Sequence, residues 1–301
     1  MSTSTSTPLT SATTTNEGCT LHYTTIPPSP SPSPSPSTPT PPLLLFIPGG
    51  GGHSTQFHPL LPYFHPTYQP ATYSRRQHGL SKPLPSSPGH VHLNPAQQVR
   101  DALAVVDALR NTHPALPAKF YIFGNSGGAL IAFHLATLYP ERVAGLVAHE
   151  GMITPLVPRY GEVMDFIFET YALYLERGAE VATKHFQTKF VGYDAHENGE
   201  PLARLGGGEE GDEENLLRYE LLTLSGFYPD LGRVREAGVR VALAVGRRSK
   251  GAFYAVGMKR QSEILGCRLF EVPGNHTGYR YETEAFAREL GGILEGLRGG
   301  E

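Results

Sequence analysis

A serine set between glycines is the clearest candidate for chemistry in this sequence. Ser126 stands in the pentapeptide 124–128 (G-N-S-G-G), after the apolar run 120–123 and before the apolar run 129–139. This order predicts a buried strand that turns sharply into a helix, with the Ser126 hydroxyl exposed at the turn. Such a turn has almost no room for side chains two residues before and after the serine. We therefore predict that Ser126 is a nucleophile, the alternative being a glycine-rich turn without chemistry.

A serine hydroxyl becomes a good nucleophile only when a base takes its proton, and histidine is the usual base. The sequence has 13 histidines, so position must select among them. His276 lies downstream of Ser126, in the loop 273–278 between the last predicted strand and the final helix, and it is the predicted base. Three other histidines follow the glycine run 49–52 and could line the site: His53, His58 and His65.

Attack on a carbonyl group creates an oxyanion, which needs hydrogen-bond donors that are already in place. The backbone N–H of Gly127, directly after the nucleophile, is one predicted donor. The second is expected from the glycine run after Ile47, where the absence of side chains lets the backbone approach a substrate. We favour Gly50 or Gly51 for this oxyanion hole. A plain tight turn is the alternative, and the spacing does not match a dinucleotide-binding loop.

Strands alternate with helices over most of the chain. Predicted strands cover residues 20–26, 43–47, 71–75, 120–123, 142–149, 239–245 and 267–272. This alternation predicts an α/β fold with a mostly parallel central sheet flanked by helices. One predicted helix begins at Asn94, with Pro95 in its first turn. Its apolar stripe leaves three charged residues on the side expected to be exposed: Arg100, Asp101 and Asp107.

Residues 151–236 interrupt the alternation with helical sequence rich in aromatic residues. We predict that this insert, called the cap segment below, covers a core formed by residues 18–150 and 237–301. The acidic and glycine-rich stretch 206–214 is expected to be a mobile loop within it.

Two further segments have little to bury. Residues 1–17 are rich in Ser and Thr and are predicted to be a disordered tail, without the basic and apolar regions of a secretory signal. The Pro/Ser-rich tract 27–42 cannot supply the donors of a strand ladder, and we expect it to be a long hairpin loop.

The composition narrows the class of protein. A formal net charge of −3 argues against nucleic acids and anionic membranes as partners. The two cysteines form no metal-binding spacing, and no apolar run is long enough to span a membrane. We therefore expect a cytoplasmic protein without a metal or cofactor, and the sequence does not define its oligomeric state.

Taken together, these segments resemble the α/β-hydrolase family, and in particular a branch of microbial members. The motifs that carry the resemblance lie at residues 47–52 (I-P-G-G-G-G), 73–76 (Y-x-R-R), 124–128 (G-N-S-x-G), 149–150 (H-E), 246–249 (G-x-x-S) and 273–279 (P-G-x-H-x-G-Y). The resemblance spans roughly residues 18–298 and is specific only in combination. It implies an eight-strand-type sheet, a helical cap over the site and no cofactor.

The resemblance leaves the acid of a catalytic triad as the open question. Its common position is the loop after the strand 239–245, but residues 246–262 contain no carboxylate. Some members of the fold take the acid from the end of the strand after the elbow helix, where Glu150 stands, so Glu150 is the predicted acid. A Ser–His dyad, or Asp165 reaching in from the cap segment, remains an alternative.

These residues predict a serine hydrolase that cleaves an ester, thioester or lactone of an apolar small molecule through an acyl-enzyme. The aromatic cap segment favours an apolar pocket. Two alternatives stay open, because fold does not determine function. One is a non-hydrolytic enzyme of the same fold, acting by C–C bond cleavage or cyclisation. The other is a ligand-binding protein that has lost catalysis.

Overall fold

The computed structural model describes residues 8–27, 40–85, 94–194 and 211–299. Nine strands of these residues form one sheet in the order β1-β2-β4-β3-β6-β7-β8-β9, with β5 paired to β2. The strands are β1 Thr10–Asn16, β2 Cys19–Thr25, β3 Leu43–Ile47, β4 Gln69–Tyr73, β5 Lys82–Pro83, β6 Phe120–Asn125, β7 Val143–His149, β8 Val241–Gly246 and β9 Leu269–Val272. In the order of the sheet, all neighbouring strands from β4 through β3, β6, β7 and β8 to β9 run parallel. The three strands that pair with β2, namely β1, β4 and β5, run antiparallel to it.

Helices connect the parallel strands. They are α1 Leu61–Phe64, α2 Pro95–Thr112, α3 Gly127–Leu138, α4 Tyr160–Arg177, α5 Ala179–Gln187, α6 Asp212–Asn215, α7 Leu221–Gly226, α8 Leu231–Glu236, α9 Phe253–Val256, α10 Met258–Leu265, α11 Gly278–Tyr281 and α12 Thr283–Gly299. A π-helical turn, Leu216–Glu220, joins α6 to α7. Short 3₁₀ turns cover Ser54–Phe57, Pro140–Arg142 and Thr154–Leu156.

Strand β3 is apolar at every position because both faces of the sheet are covered. In β3, Leu43, Leu45 and Ile47 belong to the core on the side of α2 and α3. The intervening residues, Leu44 and Phe46, belong to the core on the side of α1 and α12. Side chains that alternate between two buried faces explain an unbroken apolar run. The prediction of a mostly parallel sheet flanked by helices is therefore confirmed.

The prediction that residues 1–17 are disordered is wrong for residues 10–16. Residues 1–7 lie outside the described part, but Thr10–Asn16 forms strand β1, paired along its whole length with β2. Its side chains are mostly exposed, so burial does not explain this strand. The backbone ladder and a run of β-branched threonines stabilise it, and neither needs an apolar side chain.

The hairpin expected for residues 27–42 is also wrong. Strand β4 lies between β2 and β3 and is hydrogen-bonded to both, so the segment connects strands that are not neighbours. Most of the Pro/Ser-rich tract, residues 28–39, lies outside the described residues.

Two charged residues expected at the surface are buried. Asn94 caps α2 as predicted, its side chain accepting from the Gln97 N–H at 2.8 Å, but Asp101 on the same helix is fully buried. It forms a two-point ion pair with Arg76, with N–O distances of 2.7 and 2.9 Å. In the stretch 206–214, residues 206–210 lie outside the described part. Asp212 beyond them starts α6 and is buried, accepting from the Gly79 N–H at 2.9 Å.

Helix α3 approaches β3 so closely that only glycine fits between them. A Cβ on Gly128 would lie 2.2 Å from the carbonyl oxygen of Ile47, whereas a Cβ on Gly292, in α12, would meet nothing within 4 Å. We expect Gly128→Ala to lower the free energy of unfolding by about 1–3 kcal/mol or more, because backbone atoms must shift.

The matched variant Gly292→Ala should raise the free energy of unfolding by about 0.5–1 kcal/mol, because alanine favours the helix. Urea unfolding of both variants and the parent measures the two changes. A Gly128→Ala protein as stable as the parent would contradict this account of the contact.

Candidate active site

Ser126 lies at the turn between β6 and α3 with backbone angles φ 54° and ψ −122°, a conformation that is costly for a residue other than glycine. Its N–H donates to the His149 carbonyl at 2.9 Å. A Cβ on Gly124 would lie 2.6–2.8 Å from backbone atoms of the first turn of α3. The steric demand for glycine two residues before and after the serine is thus met as the pattern predicts.

His276 lies in the loop between β9 and α11, against Glu150. Its Nδ1 is 2.6 Å from Glu150 Oε2, and Glu150 Oε1 accepts from the Gly246 N–H at 2.8 Å. The Glu150 side chain is fully buried. Burial opposes its ionisation, but the neighbouring His149 and the hydrogen bonds from His276 and Gly246 outweigh burial and lower the pKa of the carboxyl. The residue also has a positive φ of 47°, which marks a second strained position beside the elbow.

The residue before the serine joins the elbow to the histidine loop, a role that sequence reasoning missed. Asn125 Nδ2 lies 3.2 Å from the His276 carbonyl oxygen, to which it donates, and 2.9 Å from His149 Nδ1. Tyr279 donates its hydroxyl to Gln56 Oε1 at 2.8 Å and lies 3.3 Å from Asn125 Oδ1. Burial lowers the pKa of His149 to about 4, so this imidazole is neutral near pH 7. Asn125 belongs to the G-N-S-x-G motif, but the sequence assigned no role to its side chain.

The glycine loop, residues 48–52, follows β3 and faces the serine. A Cβ on Gly49 would lie 2.8 Å from the Ser126 Cβ, so the two backbones are in contact. Gly50 and Gly127 line the same pocket as Ser126 and His276. Gly51, the other predicted donor, is not among the residues that line it, and its φ of 77° places it in the turn closed by the Gly52 N–H and the Gly49 carbonyl.

The pocket around Ser126 is a mainly apolar cavity of about 80 Å³. Core residues on its wall include Leu130 and Tyr254, and the Tyr254 ring centroid is 4.3 Å from that of His276. The cap segment supplies much of the remaining wall: Phe186, Phe190, Tyr193, Leu216, Leu221 and Leu224. This wall explains the aromatic residues of the insert, some of which also pack against one another.

A buried ion pair lies beside the pocket and joins the cap segment to the glycine loop. Arg75 is fully buried and binds both carboxylate oxygens of Glu220, with an Nη2–Oε2 distance of 2.7 Å. Its Nε donates to the Pro48 carbonyl at 2.9 Å, and its Nη2 to the Gly49 carbonyl at 2.6 Å. His78 Nε2 is 3.0 Å from Glu220 Oε1. The motif at 73–76 marked Arg75, but nothing in the sequence indicated Glu220 as its partner.

The remaining residues named from the sequence lie outside this pocket. Asp165 is exposed on α4, so the structure brings Glu150 rather than Asp165 to His276. None of the three histidines after the glycine run, His53, His58 and His65, is among the lining residues. Within the described ranges, no group of three or more His, Cys, Asp or Glu side chains could hold a metal ion. No helix in the same ranges is long and apolar enough to cross a bilayer.

Glu220 makes the stability of the protein depend on pH. Burial opposes its ionisation, but Arg75 and His78 lower its pKa from 4.5 to about 2. A carboxyl with a lowered pKa stabilises the folded state above the unfolded pKa, and this contribution is lost as the pH falls through the folded value. We expect the free energy of unfolding to fall by about 3 kcal/mol from this group between about pH 5 and pH 2. Glu220→Gln should lack this component, and parallel pH curves of urea unfolding for the two proteins would contradict the prediction.

Comparison with known proteins is consistent with this geometry. A family model described as alpha/beta hydrolase fold matches residues 42–193. An uncharacterized hydrolase of Bacillus subtilis (strain 168), YraK, is 24% identical over 268 residues, which cover 84% of this chain and 89% of that protein.

Solved structures share the fold over nearly the whole length. An esterase from Thermogutta terrifontis has a TM-score of 0.70 at 14% identity, with 96% of this chain and 99% of that chain covered. The enol-lactonase from Burkholderia xenovorans LB400 has a TM-score of 0.68 at 15% identity, with 94% and 100% covered. With a matching family model over half of its length and a mostly parallel sheet that carries the strained serine turn, the chain belongs to the alpha/beta hydrolase fold family.

Proposed function

We propose that this α/β-hydrolase cleaves an ester, thioester or lactone of an apolar small molecule through an acyl-enzyme on Ser126. One observation carries the proposal. A single apolar pocket is lined by Ser126, His276, Gly50 and Gly127, and the buried carboxylate of Glu150 is hydrogen-bonded to His276 Nδ1. These are the parts that acyl transfer by a serine requires, namely nucleophile, base, orienting acid and oxyanion donors.

The first half of the reaction forms the acyl-enzyme. His276 Nε2, the ring nitrogen not bound to Glu150, takes the proton of Ser126 Oγ as this oxygen attacks the substrate carbonyl carbon. Glu150 accepts the Nδ1–H of His276, which keeps the tautomer with a free Nε2 and stabilises the imidazolium that forms. His276 then protonates the leaving oxygen or sulfur as its bond to the acyl carbon breaks. In the second half, His276 takes a proton from water as the water oxygen attacks the acyl carbon, and returns that proton to Ser126 Oγ as the acyl–serine bond breaks and the acid leaves.

The negative charge of each tetrahedral intermediate needs donors between the elbow and the glycine loop. We assign this role to the N–H groups of Gly127 and Gly50. Gly127 opens α3, so the helix dipole adds a favourable field at the same point. Gly51 was an equal candidate from the sequence, but only Gly50 of the two lines the pocket.

The pocket favours small, neutral and apolar acyl groups. Its cavity of about 80 Å³ is roughly half of the ~150 Å³ cavity that can hold benzene in another protein. Glu220 is the acidic side chain among its described lining residues, and both of its oxygens are bound by Arg75, so its charge is not available to a cationic substrate. Short p-nitrophenyl esters, such as the acetate and butyrate, are therefore suitable first substrates.

Product analysis separates hydrolysis from the non-hydrolytic chemistry of the same fold. A hydrolase releases p-nitrophenol and acid in equal amounts, and the acid carries one oxygen from isotopically labelled water. Acyl transfer to another acceptor, or conversion of the ester without incorporated water oxygen, would reject hydrolysis. Absence of covalent labelling by a fluorophosphonate would instead support a binding protein without catalysis.

Removal of the nucleophile should abolish the reaction. We expect Ser126→Ala to fold like the parent but to lose ester turnover and all fluorophosphonate labelling, because the attacking oxygen is gone. The control is Ser249→Ala, which removes another buried serine, in the loop after β8, and should be labelled like the parent. Intact-mass measurement after labelling gives the result, and labelling of Ser126→Ala at another serine would contradict the assignment.

Replacement of the acid should lower turnover rather than binding. Glu150→Gln keeps the size of the side chain but removes the charge that favours the imidazolium. We expect kcat to fall by about 10³–10⁴, or about 4–5.5 kcal/mol of transition-state stabilisation. KM should change much less, since the interaction strengthens only in the transition state.

The matched control for the acid is Asp165→Asn, which neutralises the carboxylate that the sequence left as the alternative. Because Asp165 is exposed on α4, kcat of this variant should equal that of the parent. If Asp165→Asn loses turnover and Glu150→Gln does not, the two roles must be exchanged. If neither variant loses turnover, a Ser–His dyad is the remaining arrangement.

A further inference from the structure

We propose that Arg75 is a positioning residue for the oxyanion donor on the glycine loop, and that Glu220 anchors it from the cap segment. This inference rests on the proposed function. It assigns to a buried ion pair a role in the geometry of the reaction, beyond its contribution to the fold.

The glycine loop is intrinsically flexible. Four consecutive glycines, residues 49–52, have more conformational freedom than any other residue type would allow. An oxyanion donor, however, contributes to catalysis only when its direction is already fixed before the charge develops. Some part of the surrounding structure must therefore hold this backbone in place.

Arg75 supplies that restraint by binding the two carbonyl groups that precede the donor. Its Nε donates to the Pro48 oxygen at 2.9 Å and its Nη2 to the Gly49 oxygen at 2.6 Å. The Arg75 N–H also donates to the Gly52 carbonyl at 2.7 Å, at the far end of the loop. One residue thus contacts the loop at three of its five carbonyl groups.

Peptide geometry converts this contact into control of the donor. The Gly49 carbonyl and the Gly50 N–H belong to the same planar trans peptide unit, so they point in opposite directions. When the guanidinium holds the Gly49 oxygen on its own side, the Gly50 N–H must point away from Arg75. Gly50 lines the pocket that contains Ser126. The charged hydrogen bond to the carbonyl also polarises this peptide, which strengthens its N–H as a donor.

Glu220 makes this arrangement depend on the cap segment. It lies in the π-helical turn 216–220, accepts from Nη1 and Nη2 of the guanidinium, and is itself fully buried. A buried Arg75 without this partner would be an uncompensated charge and would turn toward other acceptors. Leu216, at the start of the same turn, lies within 3.4 Å of the position of a Cβ on Gly50. One turn of the cap segment therefore packs Leu216 against Gly50 and places the Glu220 carboxylate against Arg75.

The neighbouring ion pair gives a control within the same chain. Arg76 binds both oxygens of buried Asp101, so its chemistry is nearly that of the Arg75 pair. It also donates to the carbonyl groups of Asn16, the last residue of β1, and Glu17, in the turn that follows, and not to the glycine loop. If buried arginine pairs acted only on stability, substitution of either arginine would have the same effect on catalysis.

The experiment compares Arg75→Lys with Arg76→Lys. Lysine keeps the charge opposite the carboxylate but cannot also hold two carbonyl groups. We expect kcat of Arg75→Lys for p-nitrophenyl butyrate to fall by about 10²-fold, the loss seen when one oxyanion donor is removed, with KM nearly unchanged. Arg76→Lys should lose comparable thermal stability and keep the parental kcat. Circular dichroism at the assay temperature checks that both variants are folded.

A second measurement separates positioning from a general loss of structure. A boronic acid that adds to Ser126 mimics the tetrahedral intermediate, so its affinity should fall with kcat in Arg75→Lys and stay parental in Arg76→Lys. Glu220→Gln keeps an acceptor for Arg75 but removes the charge, and kcat should fall by a smaller factor, about tenfold. If Arg75→Lys does not fold, Glu220→Gln with the same boronic acid decides the question.

Hydrogen–deuterium exchange tests the inference without reference to activity. Peptides that cover residues 44–57 should exchange faster in Arg75→Lys than in the parent and in Arg76→Lys. Parental kcat and parental exchange in Arg75→Lys, or equal loss of kcat in both arginine variants, would overturn the inference. A parent without Ser126-dependent ester turnover would overturn the proposed function instead, and the exchange measurement would still decide whether Arg75 holds the loop.

Discussion

The contact of three backbones at Ser126 is the constraint on which the rest of the structure depends. Strand β3, strand β6 and helix α3 come together with so little space that a Cβ on Gly49, Gly124 or Gly128 would lie within 3 Å of other atoms. This crowding explains why Ser126 keeps a positive φ that costs energy. The strained turn places its hydroxyl at the carboxyl edge of the sheet. Every other group of the site must then reach that edge from its own strand.

The position of Glu150, the proposed acid, shows that more than one strand can supply a carboxylate to such a site. Strands β7 and β8 are parallel neighbours, so a carboxylate at the end of either can reach the same space. Here Glu150 occupies it from the end of β7, and the Gly246 N–H at the end of β8 binds its second oxygen. The usual location thus contributes a backbone donor in place of a side chain. The proposed mechanism needs a carboxylate at His276 Nδ1, and it does not matter which of the two strands supplies it.

The one acidic side chain among the described residues of the pocket wall, Glu220, is buried and paired. The wall is largely apolar, and burial of a charge there is tolerated only when the charge is paired and hydrogen-bonded. Glu220 meets this condition through Arg75 and His78, and Arg75 in turn satisfies two carbonyl groups of the glycine loop. The cap segment therefore contributes more than an apolar surface. It completes a network of charges that begins at the glycine loop, of which Gly50 lines the pocket.

Local patterns in the sequence determined the parts of this protein that local physics controls. The glycines around Ser126, the Asn94 cap and the alternation of apolar strands with helices depend on sterics and periodicity within a few residues. The tertiary structure alone decided three further points, namely that residues 10–16 form a strand, that β4 separates β2 from β3, and that Asp101 is buried. The same holds for the pair of Arg75 and Glu220, which lie 145 positions apart. Such a contact depends on which distant segment of the chain packs against each residue. The residues next to Arg75 or Glu220 in the sequence do not indicate that segment.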